Sequence, residues 1–400
     1  VRCSTLWGRR RTKYCWKFGI CTRELVILIN MAAPLIQTTF LCDKDHGGAQ
    51  TQPRTVAGKL AAFIAKAASS VDIAIYDFRL TDPTLISTVV GALTTAAANG
   101  ITVRIAYDAG KPAAASEKTF ALMAADPAPP GTAQWVAEHF NGTGVQTKAI
   151  TAPSGQLMHS KYVLLDAVAG GKTAAVWTGS TNFTDDAWTL QENNIITVRS
   201  AGLAMAYRQD FDQLWAAGAI KGTGAGVAGA IKVGQANVRY DFAPGDGSKI
   251  DAALVTAIAA ARTRIVTATM VLTSRTVLQA MVDAIGRGVP VSGMYDAGQM
   301  DPIEREWTKS GSANSLAALH NWQQVKTHLT PKHSTPYTPD GPHDFMHNKI
   351  LIADDQLVTG SYNFSANAEK NAENQLHVVT SATIVERYAA YIETIAVAYQ

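Results

Sequence analysis

Two stretches of this 400-residue chain carry the same reactive side chains in the same order. His159, Lys161 and Asp166 follow the spacing H-x-K-x4-D, and His347, Lys349 and Asp354 repeat it. Each set is followed by Gly-Ser-x-Asn, at Gly179, Ser180 and Asn182 and at Gly360, Ser361 and Asn363, and then by a Glu-Asn pair beginning at Glu192 or Glu373. Residues two apart on an extended strand share a face, so the His and Lys of each copy are expected to project together. An imidazole beside an ammonium is a poor arrangement for a core. It suits a site that holds an anion and exchanges protons near neutral pH. Ser and Asn, again two apart, would add donors for phosphoryl oxygens. A carboxylate at Glu192 or Glu373 would accept the far N–H of a His, fixing its tautomer and raising its basicity. Asp166 and Asp354 sit an odd number of residues from the Lys, face away on a straight strand, and read as structural.

One H-x-K taken alone fits an exposed strand edge with charged gatekeepers equally well. The triplets NFT and NFS at Asn182 and Asn363 also read as glycosylation sequons. Two copies with His, Lys, Asp, Gly, Ser, Asn and Glu in one order argue against coincidence. Duplication by itself preserves residues of any kind, so the chemistry of the residue types has to supply the rest.

The elements that position these residues repeat as well. GITVRIAYDAG (100–110) aligns with GVPVSGMYDAG (288–298), and MHSK with MHNK, at an offset of 188. Beyond them the offset is 181: GSTNF matches GSYNF, Glu192-Asn193 matches Glu373-Asn374, and Tyr207 matches Tyr388. The difference corresponds to AVAGGKT, residues 167–173, which reads as a turn insertion. Each half alternates helical patterns with short apolar strands, the pattern of sheets covered on both faces. The expected architecture is α/β, with a first domain over 37–218, a Gly/Ala-rich linker over 219–234 and a second domain over 235–400.

The net charge of +3 is uneven. Residues 1–30 hold seven Arg or Lys against Glu24, a balance of +6, which leaves −3 for the remainder. Such a body lacks the global field of a non-specific nucleic-acid binder, although a local basic groove remains compatible with it. Cys3, Cys15 and Cys21 fall in the opening segment and only Cys42 beyond it, so the body has no internal disulfide framework. Residues 1–36 read as an added extension, with the working chain beginning near Met31; a targeting segment is the alternative. No stretch qualifies as a transmembrane helix, and the compartment, cytoplasmic or secreted, stays open.

The paired sets MHSKYVLLD…GSTNFT…EN and MHNKILIAD…GSYNFS…EN resemble the two HKD motifs of the phospholipase D superfamily, and the likeness covers roughly residues 37–400. It implies two tandem homologous domains whose motifs meet across a pseudo-twofold axis in one site, so the chain would act as a monomer. It implies a metal-independent phosphodiesterase without cofactor, in which one His forms a phosphohistidine and the other protonates the leaving alcohol. By analogy with two-motif relatives, His159 is the expected nucleophile and His347 the acid. Lys161, Lys349, Asn182 and Asn363 would stabilise the pentacoordinate phosphorus, and Glu192 and Glu373 would orient the imidazoles.

The favoured substrate is a phospholipid, on the two fused copies and the negative body. A nuclease acting on DNA or RNA is the alternative, because GSYNFS with Glu-Asn most resembles the small HKD nucleases. A phosphate-binding module without turnover is the reading from another class. His333 and His343 could line the substrate mouth or be ordinary loop residues. Trp135, Trp188, Trp307 and Trp322 could contact an acyl chain or a base, buried packing being the commoner case. The acidic and His residues of DKDHGG, 43–48, read as a solvated turn.

Overall fold

The central strands of both halves are buried on both faces, and they lie where such strands belong, between two layers of side chains. The computed structural model describes residues 34–110, 131–338, 341–379 and 381–400, so the expectation for residues 1–36 falls almost wholly outside the described residues. The first half runs β1 (Ile36–Leu41), α1 (Gln52–Ile64), β2 (Ser70–Ile75), β3 (Phe78–Arg79), α2 (Pro83–Ala98), β4 (Thr102–Asp108), α3 (Thr132–Phe140), β5 (Gln146–Ile150), β6 (Lys161–Leu165), β7 (Ala175–Gly179), β8 (Phe183–Thr184), α4 (Asp185–Thr189), β9 (Asn193–Arg199) and α5 (Ala201–Ala217). The second runs β10 (Gly229–Val233), β11 (Ala236–Ala243), α6 (Gly247–Ala260), β12 (Ile265–Thr269), α7 (Arg275–Gly286), β13 (Val291–Asp296), α8 (Ala297–Ser310), α9 (Ala313–Val325), β14 (Thr330–Lys332), β15 (Lys349–Ala353), β16 (Gln356–Gly360), β17 (Glu373–Val379) and α10 (Ala382–Ala398).

One sheet has the order β1-β9-β7-β6-β2-β4-β5 and the other β10-β11-β17-β16-β15-β12-β13-β14. With β10 set aside the two orders correspond strand for strand, as tandem copies require. In each sheet the strands following helical crossovers pair in parallel (β2 with β4, β12 with β13) and the hairpin strands pair antiparallel (β6 with β7, β15 with β16). Strand β10 lies inside the stretch read as linker: α5 closes at Gly218 with φ 62°, and the chain re-enters a sheet at Gly229. Its alternation of partly buried and exposed residues, with an apolar end at Val233, suits an edge strand over one covered face.

The side-chain period of two sorts each strand between two cores. Tyr162 and Leu164 of β6 and Ile350 and Ile352 of β15 enter one central core shared by both halves, while Val163 and Leu165 pack outward under α1 and α2. Leu203, Tyr207, Phe211 and Leu214 of α5, spaced by three or four, enter the same central core as Ile384, Tyr388, Tyr391 and Ile395 of α10. Both helices therefore bind the two sheets together, and residues 35–400 form one compact unit. None of the described helices is long and apolar enough to cross a membrane.

The ladders correct one part of the repeat alignment. Gly179 pairs with Ile195 in the first half and Gly360 with Gln375 in the second. The structural counterpart of Glu373 is therefore Asn193, and that of Glu192 is Ala372. The two Glu-Asn dipeptides match in letters one step out of register, because the connection after Asn182 is one residue longer than that after Asn363. A one-residue slip on a strand reverses every side chain.

Candidate active site

His159 and His347 meet where the halves meet. Their ring centroids are 6.5 Å apart at an interplanar angle of 75°, and both rings are buried. Each His precedes its strand and is held by the opposite half: His159 N–H donates to Ala372 O at 2.8 Å, and His347 N–H to Glu192 O at 3.1 Å. The aspartates that close the two YDAG-containing words brace the preceding residues. Met158 N–H donates to Asp108 Oδ2 at 2.8 Å and Met346 N–H to Asp296 Oδ2 at 2.7 Å. Sequence reasoning used those words to find the repeat and missed this role.

Lys161 and Lys349 are buried beside the imidazoles, and each Nζ donates to the carbonyl of its own His, at 3.0 and 2.8 Å. Burial first, then the ammonium groups, hold both imidazole pKa values well below the usual range; Lys161 and Lys349 each act on both rings. Glu373 is pushed up to about 8 by burial, against the lowering effects of Asn371, Lys161 and Lys349. Two buried cations with one carboxylate between them leave an excess of positive charge, the electrostatic form of an anion site.

The second partners of the two imidazoles differ. Glu373 Oε1 stands 3.4 Å from His159 Nδ1, across the halves, as a close approach rather than a formed hydrogen bond. At His347 the corresponding place is taken by Asn193, whose Oδ1 lies 3.0 Å from Nδ1. The amide of Asn193 is oriented by its own Nδ2, which donates to Ala187 O and Gln191 Oε1 at 3.0 Å each. Its oxygen therefore faces His347, which must carry the proton on Nδ1 and leave Nε2 to the site. The expected orienter Glu192 does not reach His347. Its side chain turns the other way, as the register requires, onto Lys332 Nζ at 2.8 Å.

The Gly-Ser-x-Asn segments also depart from expectation in part. A Cβ on Gly179 would lie 2.1 Å from Asn194 O, and one on Gly360 2.3 Å from Asn374 O, so close strand approach requires glycine. Ser180 Oγ accepts from Asn194 N–H at 3.0 Å and donates to Asn193 Oδ1 at 2.6 Å, which commits its proton away from any phosphate. Ser361 Oγ likewise accepts from Asn374 N–H at 3.0 Å, and its donor contact, to Asn374 O, is long at 3.5 Å. A backbone group of each serine acts on the His of the other half, Ser361 on His159 and Ser180 on His347, raising the imidazole pKa against the larger lowering by burial and the ammonium groups. In Asn182 and Asn363 the Oδ1 atoms, which can only accept, are buried without a hydrogen-bond partner, so any donation to an anion would fall to Nδ2. Burial of Asn182 also argues against its use as a glycosylation acceptor.

Asp166 and Asp354 lie away from the imidazoles. Both adopt left-handed backbone, φ 45° and 53°. Asp166 accepts from the N–H groups of Ala68, Ser69 and Ser70, and Asp354 from those of Arg262, Thr263 and Arg264. Burial would raise both carboxyls, yet these bonds bring each down to about 2. Trp188 and Trp322 are fully buried, and Trp188 Nε1 donates to Asn182 O at 2.9 Å. Trp135 is buried too, and Trp307 packs partly buried on the outer core of the second half. His343 lies against both Tyr337 and Phe345, with ring centroids 4.9 and 5.5 Å away and the Tyr337 and Phe345 centroids 6.5 Å from each other, while His333 is exposed. Asp43 of the DKDHGG turn is buried against Lys332. Among the described residues no cluster of three or more His, Cys, Asp or Glu side chains is arranged to hold a metal ion.

A family profile described as the PLD-like domain of cardiolipin synthase matches residues 60–215 and again 254–396. This chain belongs to the PLD-like family. The two matched regions each contain one half of the site, and membership places the chain among phosphodiester-processing enzymes. No curated protein matches the PLD-like chain. Among solved structures, it resembles the phosphatidylserine synthase of Haemophilus influenzae Rd KW20 with a TM-score of 0.59 at 10% identity, over 90% of this chain and 86% of that one. It resembles the polyphosphate kinase of Porphyromonas gingivalis with a TM-score of 0.54 at 12% identity, over 91% of this chain and 48% of that one. Nuc, a phospholipase D family member of Salmonella typhimurium, aligns at 24% identity over 40% of this chain and 92% of its own, with a TM-score of 0.30. At these identities the two likenesses that span about nine-tenths of this chain describe the shared fold alone.

Proposed function

We propose that this protein cleaves or transfers a phosphodiester through a phosphohistidine, with residues 37–218 and 235–400 as its two repeats and one chain sufficient for the site. The observation that carries the proposal is the unequal pair of partners, Glu373 at His159 and Asn193 at His347. Nε2 of His159 attacks phosphorus while the bond to the leaving oxygen breaks; His347, brought to its doubly protonated form as the phosphodiester's negative charge binds beside it, gives that oxygen the proton on Nε2 and keeps the one on Nδ1. The charge that grows on the His159 ring is met by Glu373 at Nδ1. Water, or an acceptor alcohol, then gives its proton to His347 and displaces His159 from phosphorus. Lys161, Lys349, Asn182 and Asn363 hold the phosphoryl oxygens. The amide at His347 orients that ring without gripping its proton, as a group that must give a proton up requires.

A phospholipid is the proposed substrate, supported by the cardiolipin synthase description of the matching family and by the negative charge of the body beyond residue 30. A second reading, a nucleic-acid phosphodiester, is favoured by one observation. The rings of Tyr337, His343 and Phe345 lie within 31° of parallel just before His347, a surface on which a base could stack. The protein would be incubated in EDTA with phospholipid vesicles and, separately, with single- and double-stranded DNA. Head-group release supports the first reading; DNA cleavage alone overturns it. Full activity in both His159→Ala and His347→Ala would end the shared-site mechanism.

A further inference from the structure

The segment 190–194 cradles His347, and a single buried lysine pins that segment. Lys332 Nζ donates to Leu190 O at 3.0 Å and pairs with Glu192 Oε2 at 2.8 Å and Asp43 Oδ2 at 3.2 Å. Lys332 and Glu192 are both buried. Tyr399 closes the group: its hydroxyl donates to Glu192 Oε1 and its ring centre lies 5.3 Å from Nζ. From that anchored stretch come the carbonyl that receives His347 N–H, the amide oxygen facing His347 Nδ1, and Asn194 Nδ2, which donates to Asn348 Oδ1 at 3.0 Å.

Among the described residues the other half has no such pin. Asp108 pairs with Ile150 where Asp296 pairs with Lys332, and Met158 bridges to Ala372 where Met346 bridges to Glu192. Ile150 and Ala372 therefore stand in place of Lys332 and Glu192, and both are part of the central apolar core. The same cradle is thus held by packing at His159 and by an ion pair at His347.

We infer that Lys332 is a positioning residue for His347: by pairing with Glu192, whose side chain the strand register already turns off the imidazole, it fixes segment 190–194 and so holds the neutral amide of Asn193 against Nδ1. The inference rests on the proposed function only in treating His347 as a reacting group. An ion pair with both partners buried is costly to break on one side, which is what a fixed anchor needs.

Lys332→Gln and Glu192→Gln each remove the charge pair while keeping neutral hydrogen bonds, so either serves if the other fails to fold. In each, nitrogen-15 spectra of His347 are expected to change from the Nδ1–H tautomer to a mixture, with kcat at least tenfold lower and KM within twofold. Glu192→Ala combined with Lys332→Ile, which installs the arrangement of the first half, is expected to restore the tautomer and bring kcat to within about threefold of the parent. Single variants with an unchanged His347 tautomer and kcat but a lower melting temperature overturn the inference, as does a double variant no better than the singles. The spectra need no substrate, so an inactive parent would defeat the proposed function and leave this test readable.

Discussion

Glu373 Oε1 of the second half stands 3.4 Å from Nδ1 of His159 in the first, and no carboxylate occupies the matching place at His347. The two halves of the site are therefore chemically unlike although their motifs read alike.

That difference predicts unlike losses. Glu373→Gln is expected to slow formation of the phosphohistidine about 10- to 100-fold, the usual cost of removing a partner that orients and charges an imidazole. Asn193→Ala is expected to slow breakdown of the intermediate more than its formation. Rapid-quench measurement of phosphate bound to His159 checks both, since the first variant should accumulate less of it than the second.

Stability should depend on pH from both ends. The imidazoles of His159 and His347 are depressed in the folded protein, so their contribution is present above the ordinary imidazole value, about 6.5, and is lost as pH falls below it. Glu373 is raised to about 8, so the folded state binds the extra proton, and its contribution is full below pH 4.5 and lost as pH rises through 8. The melting temperature of Glu373→Gln minus that of the parent should therefore climb between pH 5 and 8 and level off above. A difference that stays flat would show that Glu373 is ionised throughout.

Anion binding should take up protons. A phosphate analogue between Lys161 and Lys349 supplies the charge that burial and the ammonium groups deny the imidazoles, raising their pKa values on binding. Titration calorimetry with vanadate in buffers of different ionisation enthalpy should report net proton uptake at pH 7 and weaker binding as pH increases.

Gly179→Ala is expected to prevent folding or to cost upward of about 4 kcal/mol, the range reserved for severe steric faults. Its Cβ would fall 2.1 Å from Asn194 O, a backbone atom with no room to retreat. Gly91→Ala, in the middle of α2 with open space at its Cβ, is the control and should raise the melting temperature slightly. Urea melts of both proteins make the comparison.

Much of this was legible in the residues. Helix and strand alternation, the duplication and the gathering of His159, Lys161, His347 and Lys349 could be read because each is a local pattern repeated in a fixed order. The partner of His347 could not, since identical Glu-Asn letters sit one residue out of step and register is decided by ladder hydrogen bonds far along the chain. The serine hydroxyls were misjudged for a related reason: Ser180 answers to Asn193 and Asn194, whose nearness depends on strands being paired. Lys332 ends β14 beside a Pro-rich stretch with no motif around it, and its counterpart Ile150 gave the repeat no signal.

Because each imidazole is cradled by the strand of the other half, a dimer of identical chains would have to put one residue type at both cradle positions. Joining the copies in one polypeptide lifts that constraint. Position 373 is then free to be Glu while 193 is Asn, so two imidazoles set in like motifs can face unlike partners.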